Sequence, residues 1–224
     1  LGAGVTGNAV ARSLTKRGAV VSMADENPAA QSEHRVIGAK DVVIKDFDSV
    51  VVSPGWRQDH PLVVAAKASG LSLLNEVDLA WQIKSEIAPG QKWLALTGTN
   101  GKTTTVEMVA AMLKRGGLKA TACGNVGETV IEVVDRADAF EVLVLELSSF
   151  QLHWSKQAQF VASAILNIAD DHIDWHGSFD EYAKAKLTIL DRATTAVLNA
   201  DEGEIVKRTS HWQGRKVFYS LDTP

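Results

Sequence analysis

Residues 93–105 read Trp-Leu-Ala-Leu-Thr-Gly-Thr-Asn-Gly-Lys-Thr-Thr-Thr, an apolar run that leads into a glycine-rich turn. The residues that follow, 106–113, have the apolar periodicity of a helix. The stretch therefore predicts a strand, a tight turn and a helix N-terminus, which together can bind nucleotide phosphates. Because alternating strands and helices build parallel sheets, it also favours an α/β fold.

The turn itself resembles a shortened phosphate-binding loop. The common P-loop reads Gly-x-x-x-x-Gly-Lys-Ser/Thr, whereas only Thr99 and Asn100 separate the two glycines here. Glycines let the backbone approach phosphate oxygens, the lysine would neutralise phosphate charge, and the following hydroxyl would reach Mg²⁺. We predict that the nucleotide is bound by Gly98, Thr99, Asn100, Gly101, Lys102, Thr103 and Thr104.

The composition fits a globular protein with a buried core. The chain has 224 residues, of which 46% are apolar and 22% charged, and its net charge is −4. This charge argues against a nucleic-acid partner, and no apolar run is long enough to span a bilayer. Cys123 is the single cysteine and cannot form an internal disulfide. We therefore expect a reducing, cytoplasmic location.

A second glycine motif opens the chain. Residues 2–7 read Gly-Ala-Gly-Val-Thr-Gly, and a helical pattern follows until Gly18. An apolar run at 19–25 predicts a strand ending in Asp25, which could contact a ribose hydroxyl of a dinucleotide. A tight βα turn of any Rossmann-like domain explains the motif equally well, and a uridine diphosphate could use the same helix N-terminus.

The rhythm of strands and helices predicts two α/β domains, joined by a linker at 89–91. The first, 1–88, is expected to be Rossmann-like with a parallel sheet, and the second, 89–224, to be a P-loop-type α/β domain that is incomplete. Because no strand precedes the first glycine, we expect that strand to lie outside the chain. Predicted strands cover 41–44, 49–53, 71–74, 93–97, 119–123, 141–146, 162–167, 196–199 and a segment from 217, and predicted helices cover 60–69, 76–85, 103–115, 127–135 and 179–191.

Further polar residues follow predicted strands. Glu146 ends the strand at 141–146, where an acid can hold Mg²⁺, although such a residue is as often an ion-pair partner. His172 lies among three acids at 170–174, as a metal ligand or as a solvated surface residue. Lys184 and Lys186 stand two positions apart on a helix, so at most one faces the site, and the spacing does not decide which.

These motifs together resemble the Mur ligases of peptidoglycan synthesis. The Gly-Thr-Asn-Gly-Lys-Thr loop at 98–103 is similar to their ATP loop, which folylpolyglutamate synthetases share. The segment Glu-Leu-Ser-Ser-Phe-Gln-Leu at 146–152 resembles the type that adds D-glutamate. Residues 124–127 and 171–174, and the Tyr-x-x-x-Lys pattern at 182–186, fit that type as well.

The resemblance implies an ATP-dependent ligase that joins D-glutamate to UDP-N-acetylmuramoyl-L-alanine through an acyl phosphate. It implies two Mg²⁺ ions, a monomer and three domains, of which the third lies outside this chain. The alternatives are another Mur-type or a folylpolyglutamate synthetase-like amino-acid ligase, and a nucleotide-binding module without activity of its own. In place of the Thr-Arg that the family often has after the Asp25 position, this chain has Glu26 and Asn27.

The resemblance also implies roles for individual residues. Lys102, His172 and Lys186 would be catalytic, and Lys186 matches a lysine that carries a carbamate in the family. The metal ligands would be Thr103, Glu146, His172 and Lys186, and the UDP-substrate contacts would be Val5, Thr6, Asp25, Gly55, Asn125 and His172.

Overall fold

The computed structural model of the chain describes residues 1–27, 29–136 and 139–221. It is an α/β protein in which every pairing between strands is parallel. The strands are β1 (Met23–Asp25), β2 (Val36–Gly38), β3 (Ser49–Val52), β4 (Ser72–Asn75), β5 (Lys92–Thr97), β6 (Ala120–Gly124), β7 (Val142–Glu146), β8 (Ala162–Ile165), β9 (Thr195–Asn199) and β10 (Arg215–Tyr219). The helices are α1 (Val5–Lys16), α2 (Pro61–Ala68), α3 (Glu76–Ile87), α4 (Lys102–Arg115), α5 (Val130–Val134), α6 (Ser149–Trp154), α7 (Ile173–His176), α8 (Phe179–Leu187) and α9 (Gly203–Thr209). No helix in the described ranges is long and apolar enough to cross a membrane.

A six-stranded sheet in the order β10-β9-β8-β5-β7-β6 forms the larger part of the molecule. The central strand β5 pairs with β7 on one side and with β8 on the other. Leu96 stands opposite Glu146, and Thr97 opposite Ile165, so the carboxyl ends of these three strands meet at one edge. Ligands of open parallel sheets bind at this kind of edge.

The first 88 residues contain two separate strand pairs, β1-β2 and β3-β4. Leu1 and Gly2 lie between them: Gly2 N donates to Ala24 O at 2.7 Å, and Ser53 N donates to Leu1 O at 2.9 Å. The amino group of Leu1 also donates to Val51 O. The predicted parallel pairing in this segment is therefore present, in two pairs that only the first two residues connect within the described part of the chain.

One core extends from the N-terminal helices to the sheet. Val10 of α1 and Val77 of α3 belong to the same buried cluster as Trp93, Leu143 and Leu198 of the large sheet. The central strands read as apolar runs because both of their faces are covered; all five residues of β7 are buried. The predicted strands of this sheet are confirmed, with end points shifted by a few residues.

Several predictions for the smaller elements are wrong. Residues 19–22 are not part of a strand, because β2 pairs only with the three residues Met23–Asp25 of β1. Val20, in the unpaired segment, is 98% exposed. The expected strand at 41–44 is replaced by two 3-10 turns, Ala39–Asp41 and Ile44–Asp46, and the strand β2 forms just before them. The helix expected from 127 begins only after Thr129, whose side chain caps α5. The helix expected at 179–191 ends at Leu187, and a 3-10 turn, Leu190–Arg192, follows it.

Candidate functional site

The glycine-rich loop 98–101 connects β5 to α4 at the edge where the central strands end. Gly101 is the N-cap of α4 and has a left-handed backbone with φ of 79°, which glycine adopts without strain. No side chain caps α4, whereas Thr129, Ser148 and Ser178 cap α5, α6 and α8. The first-turn N–H groups of α4 therefore lack a side-chain acceptor, and the helix dipole favours an anion there.

Side chains on both sides hold this loop in place. Lys102 Nζ donates to Thr99 O at 2.9 Å, so the lysine folds back over the loop. Thr99 Oγ1 lies 2.9 Å from the hydroxyl of Tyr182 and accepts from Ala169 N at 3.0 Å. The loop is thus fixed from α8 and from the segment after β8.

Glu146, at the end of β7, is the centre of a small polar cluster. Its Oε2 accepts from Thr103 Oγ1 at 2.9 Å and its Oε1 from Asn125 Nδ2 at 3.1 Å. The side chain is buried, with 1% exposure, and no ion pair among the described residues includes it. Gly124 allows the backbone at the end of β6 to lie close to the backbone of Glu146, because a Cβ on Gly124 would lie 2.5 Å from the backbone oxygen of Glu146. A buried carboxylate with two neutral donors and no cation fits the hard oxygen ligand of a divalent ion.

Lys186 reaches the same edge from α8. It is 2% exposed, and its Nζ donates to Gly98 O at 2.8 Å and contacts Thr97 Oγ1 at 3.4 Å. Burial, and next the charge of Lys102, lower the pKa of Lys186 to about 7. Lys184 instead points to solvent with a 74% exposed side chain, 3.7 Å from Glu181. The structure thus places Lys186, and not Lys184, beside the loop.

His172 differs in burial from Glu146 and Lys186, two of the other predicted metal ligands. It precedes α7 with a left-handed backbone, φ 51°, and its side chain is 47% exposed. Its Nε2 lies 3.4 Å from Asp171 Oδ2, and its ring packs on Phe150 with centroids 4.7 Å apart. No group of three or more His, Cys, Asp or Glu side chains in the described ranges is arranged to hold a metal. Of the predicted metal ligands, Thr103 and Glu146 are in direct contact, and the complete set stays a prediction.

The first glycine motif is a tight turn packed against its own helix. A Cβ on Gly7 would lie 1.9 Å from Gly2 O, so the third glycine is required for close packing. Asp25 Oδ2 accepts from Ala3 N at 2.7 Å and thereby fixes the turn. The helix α1 also lacks a side-chain cap, and Val5 at its start is 76% exposed. This second uncapped helix N-terminus can accept an anion.

Asp25 and Gly55 come together in one cleft. The cleft is lined by Asp25, Glu26, Gly55, Trp56, Arg57, Asp59, His60 and Pro61. Val5 and Thr6 do not line it; Thr6 lines a neighbouring cavity between α1, β1 and β3. Arg57 was not predicted as a site residue, although it follows directly after the Pro-Gly turn that ends β3.

Two hydrogen bonds join this cleft to the segment after His172, and a third joins it to α6. Trp175 Nε1 donates to Gly55 O at 3.3 Å, and Arg57 Nη1 donates to Asp174 O at 3.0 Å. Trp154 Nε1 of α6 donates to Trp56 O at 3.2 Å. Pairs so distant along the chain carry no local sequence signal, so tertiary structure alone reveals that the cleft and the phosphate-loop edge are linked.

Comparison with known proteins agrees with this arrangement. The family description "Mur ligase middle domain" matches residues 96–224. UDP-N-acetylmuramoylalanine–D-glutamate ligase from Corynebacterium efficiens is 44% identical over 93% of this chain and 46% of its own length. The protein of the same name from Thermobifida fusca is 41% identical over 100% of this chain and 51% of its own length. The chain spans about half the length of these relatives.

Solved structures are similar in fold. The UDP-N-acetylmuramate:L-alanyl-gamma-D-glutamyl-meso-diaminopimelate ligase from Neisseria meningitides aligns with a TM-score of 0.61 at 16% identity, over 99% of this chain and 76% of that one. MurF ligase from Thermotoga maritima, solved with ADP, aligns with a TM-score of 0.55 at 18% identity, over 83% of this chain and 50% of that one. With more than half of its residues matched by the middle-domain description, the chain belongs to the Mur ligase family.

Proposed function

We propose that this chain carries the ATP site and the UDP-substrate site of a ligase that adds D-glutamate to UDP-N-acetylmuramoyl-L-alanine in peptidoglycan precursor synthesis. The observation that carries the proposal is the cluster of Thr103, Glu146 and Asn125 beside an uncapped helix and the buried Lys186. The D-glutamate specificity is supported by relatives that bear this name at 41–44% identity. We place the protein in the cytoplasm, as a monomer.

In this proposal, two units of the chain bind different ligands. Residues 1–88 form the Rossmann-like unit that binds the UDP-sugar, and residues 89–224 form the ATP-binding unit, of the P-loop type. The first has its glycine turn at α1, and the second has its phosphate loop at α4. Each unit thus offers a helix N-terminus to an anionic ligand.

The residues present fit ATP and Mg²⁺. The loop 98–101 lets the backbone approach the phosphates, the first turn of α4, through Thr104, presents N–H groups to them, and Lys102 offsets their charge. Thr103 and Glu146 already lie in contact at 2.9 Å and would hold one Mg²⁺. Bound Mg²⁺ supplies charge neutralisation on the transferring phosphoryl group. His172 and Lys186 would hold the second ion.

Lys186 is suited to carry a carbamate. Only a neutral amine adds to CO₂, and burial lowers the pKa of Lys186 to about 7, so a large neutral fraction exists near neutral pH. A carbamate would turn this cation into an anionic oxygen ligand, which Mg²⁺ prefers to an ammonium. Its proximity to the loop, with Nζ 2.8 Å from Gly98 O, supports a role at the phosphates.

The UDP-substrate would extend from the cleft to the phosphate-loop edge. Asp25 and Gly55 face the uridine end, and Val5 and Thr6 lie at the N-terminus of α1 for the diphosphate. Arg57 supplies to this cleft a cation that the Glu26-Asn27 pair lacks. Asn125 and His172 would contact the muramoyl-alanine end, whose carboxylate accepts the γ-phosphoryl group of ATP to give an acyl phosphate. The amine of D-glutamate then displaces phosphate to form the amide.

Phosphate release from ATP tests this function. The full-length gene product is supplied with UDP-N-acetylmuramoyl-L-alanine and with D-glutamate, L-lysine or L-alanine as the amine. We expect release with D-glutamate only. Release driven by L-lysine alone would overturn the D-glutamate assignment, and release with a folate acceptor would favour the folylpolyglutamate synthetase-like alternative.

A pair of lysine variants tests the carbamate. Lys186→Ala should abolish activity, and a short-chain carboxylate added to the assay should restore part of it, because it returns the missing anionic oxygens. Lys184→Ala is the matched control, since this neighbour has a 74% exposed side chain that lies 3.7 Å from Glu181. Full activity in Lys186→Ala, or equal losses in both variants, would refute the role.

A further inference from the structure

One of the side chains that hold the phosphate loop, that of Asn167, bonds the backbone of both Thr99 and Asn100, and the predictions assigned it no role. Its Oδ1 accepts from Thr99 N at 2.8 Å and from Asn100 N at 2.8 Å. Its Nδ2 donates to Asn100 O at 3.1 Å, and its backbone oxygen accepts a further bond from Thr99 N at 3.1 Å. Asn167 thus braces the loop: it forms hydrogen bonds with the backbone of both residues that separate the two glycines, Thr99 and Asn100.

The brace is itself anchored in the large sheet. Asn167 follows β8, and the preceding Leu166 N donates to Thr97 O of β5 at 3.0 Å. Asn199 of β9 donates through Nδ2 to Leu166 O at 3.2 Å. The backbone directly before Asn167 is therefore held by β5 on one side and by the Asn199 side chain on the other.

The contact also explains the first glycine of the loop. A Cβ on Gly98 would lie 3.1 Å from Leu166 Cβ and 3.4 Å from Asn167 Oδ1. A larger residue would push the loop away from the segment that braces it. Asn167 supplies hydrogen bonds to the backbone of the two residues between the loop glycines.

The brace divides the N–H groups of the loop into two sets. Those of Thr99 and Asn100 point at Asn167 and are engaged, so they are withdrawn from a ligand. Those of the first turn of α4 have no side-chain cap and stay available. The direction in which the loop presents donors to an anion thus depends on where the Asn167 amide holds Thr99 and Asn100.

We propose that Asn167 is the positioning residue of the phosphate loop, which sets the loop conformation that receives nucleotide phosphates without itself touching them. The proposal rests on the function proposed above for its effect on nucleotide affinity. The hydrogen bonds between Asn167 and the loop do not depend on that function. One measurement therefore tests these hydrogen bonds, and a second tests their effect on nucleotide affinity.

The first measurement is amide hydrogen exchange of Thr99 and Asn100 by NMR in the nucleotide-free chain. We expect protection of both amides in the parent chain. In Asn167→Ala, which removes both side-chain acceptor bonds, the Asn100 amide should exchange about 10-fold faster or more, and the Thr99 amide should change less, because the backbone oxygen of residue 167 still accepts from Thr99 N. Asn167→Asp keeps an acceptor for both N–H groups and loses only the donor to Asn100 O, so it should retain most of the protection. Unprotected amides in the parent chain, or unchanged exchange in Asn167→Ala, would overturn the brace.

The second measurement is calorimetric titration with ADP and MgCl₂. We expect Kd to rise about 10-fold in Asn167→Ala, the loss equivalent to one or two hydrogen bonds, and less in Asn167→Asp. Asn8→Ala is the matched control, because Asn8 Nδ2 bonds Ala3 O and Gly4 O in the other glycine loop, at 2.7 and 3.1 Å. Its ADP affinity should equal that of the parent chain.

The outcomes are distinguishable. If the parent chain binds no ADP, the proposed nucleotide site fails, and hydrogen exchange alone decides the brace. If the parent binds ADP and Asn167→Ala binds it equally well at a matched melting temperature, the positioning role is refuted. If Asn167→Ala does not fold, Asn167→Leu decides, because this near-isosteric variant lacks the acceptor and the donor of the amide and adds no charge: weakened ADP binding supports the role, and parent-like binding contradicts it.

Discussion

Removal of the Asp78 carboxylate should destabilise the chain more than removal of any exposed acid. Asp78 lies in the first turn of α3 and is 2% exposed. It accepts four hydrogen bonds from the segment after α6: from Ser155 Oγ at 2.8 Å and from the backbone N–H groups of Lys156, Gln157 and Ala158 at 2.6, 3.0 and 3.1 Å. This carboxylate therefore ties α3 to the segment that precedes β8.

The magnitude follows from the donors that the substitution leaves behind. Hydrogen bonds to a charged group contribute about 1.5–3 kcal/mol each, so four would sum to about 6–12 kcal/mol if they were additive. They are not additive, since the segment can shift and water can enter, and the breaking of a buried polar network usually costs about 3–5 kcal/mol. We expect that loss for Asp78→Ala. Asp78→Asn should lose about 1–2 kcal/mol, because its Oδ1 can still serve the three donors that bond Asp78 Oδ1.

The assay is urea denaturation, followed by both tryptophan fluorescence and far-UV circular dichroism so that two-state unfolding is checked. Asp180→Ala is the control, since this carboxylate is 79% exposed and makes one ion pair, with Arg208 at 2.6 Å. Such a pair contributes about 0–1 kcal/mol. Losses in Asp78→Ala and Asp180→Ala that agree within about 0.5 kcal/mol would refute the reasoning, because donor count and burial would then not determine the cost.

Three further predictions concern other positions. Gly7→Ala should cost about 1–3 kcal/mol and lower Tm, because the new Cβ would lie 1.9 Å from a backbone oxygen; Gly4→Ala, with no atom within 4 Å, should shift Tm far less, and equal shifts would contradict the close packing. Burial raises the pKa of Glu76 from 4.5 to about 7, so the folded chain keeps a proton that the unfolded chain releases in this window. The free energy of unfolding should thus fall by roughly 3 kcal/mol as the pH rises from 4.5 to about 7. Glu76→Gln should remove this pH dependence, whereas the exposed control Glu107→Gln should keep it. A pH dependence that survives in Glu76→Gln would show that another group causes it. Glu146→Gln should abolish the dependence of ADP affinity on Mg²⁺ in calorimetric titrations, and a retained dependence would exclude Glu146 as a ligand.

The large sheet was predictable because its strands are buried on both faces and read as apolar runs. The same reasoning failed at 41–44, where an apolar stretch lies on the surface and Val43 is 47% exposed. The helix α6 was missed although a signal exists, since Ser148 and Gln151 form a capping box. The helix α7 carries no comparable signal, because it starts at the left-handed His172, which has no capping side chain.

In the candidate site, the rule that polar residues at strand ends face the ligand edge found Glu146. Asn167 occupies the equivalent place after β8, so the same rule applies to it, but a neutral amide is a weaker signal of a ligand site than an acid. The choice between Lys184 and Lys186 required the direction of α8 relative to the sheet, which spacing cannot supply. The contact between Trp175 and Gly55 required the packing of segments 120 residues apart.

The number of donors received distinguishes two buried carboxylates of this chain, those of Asp78 and Glu146. An ionised carboxylate has about four lone-pair sites. Asp78 fills them with four donors, three of which are backbone N–H groups that cannot move without unfolding the segment. Glu146 is as deeply buried but receives only two donors among the described residues, both from side chains that can rotate. A buried acid with unfilled sites at the ligand edge is costly unless a cation completes its shell, and this favours Glu146 over Asp78 as the place for Mg²⁺.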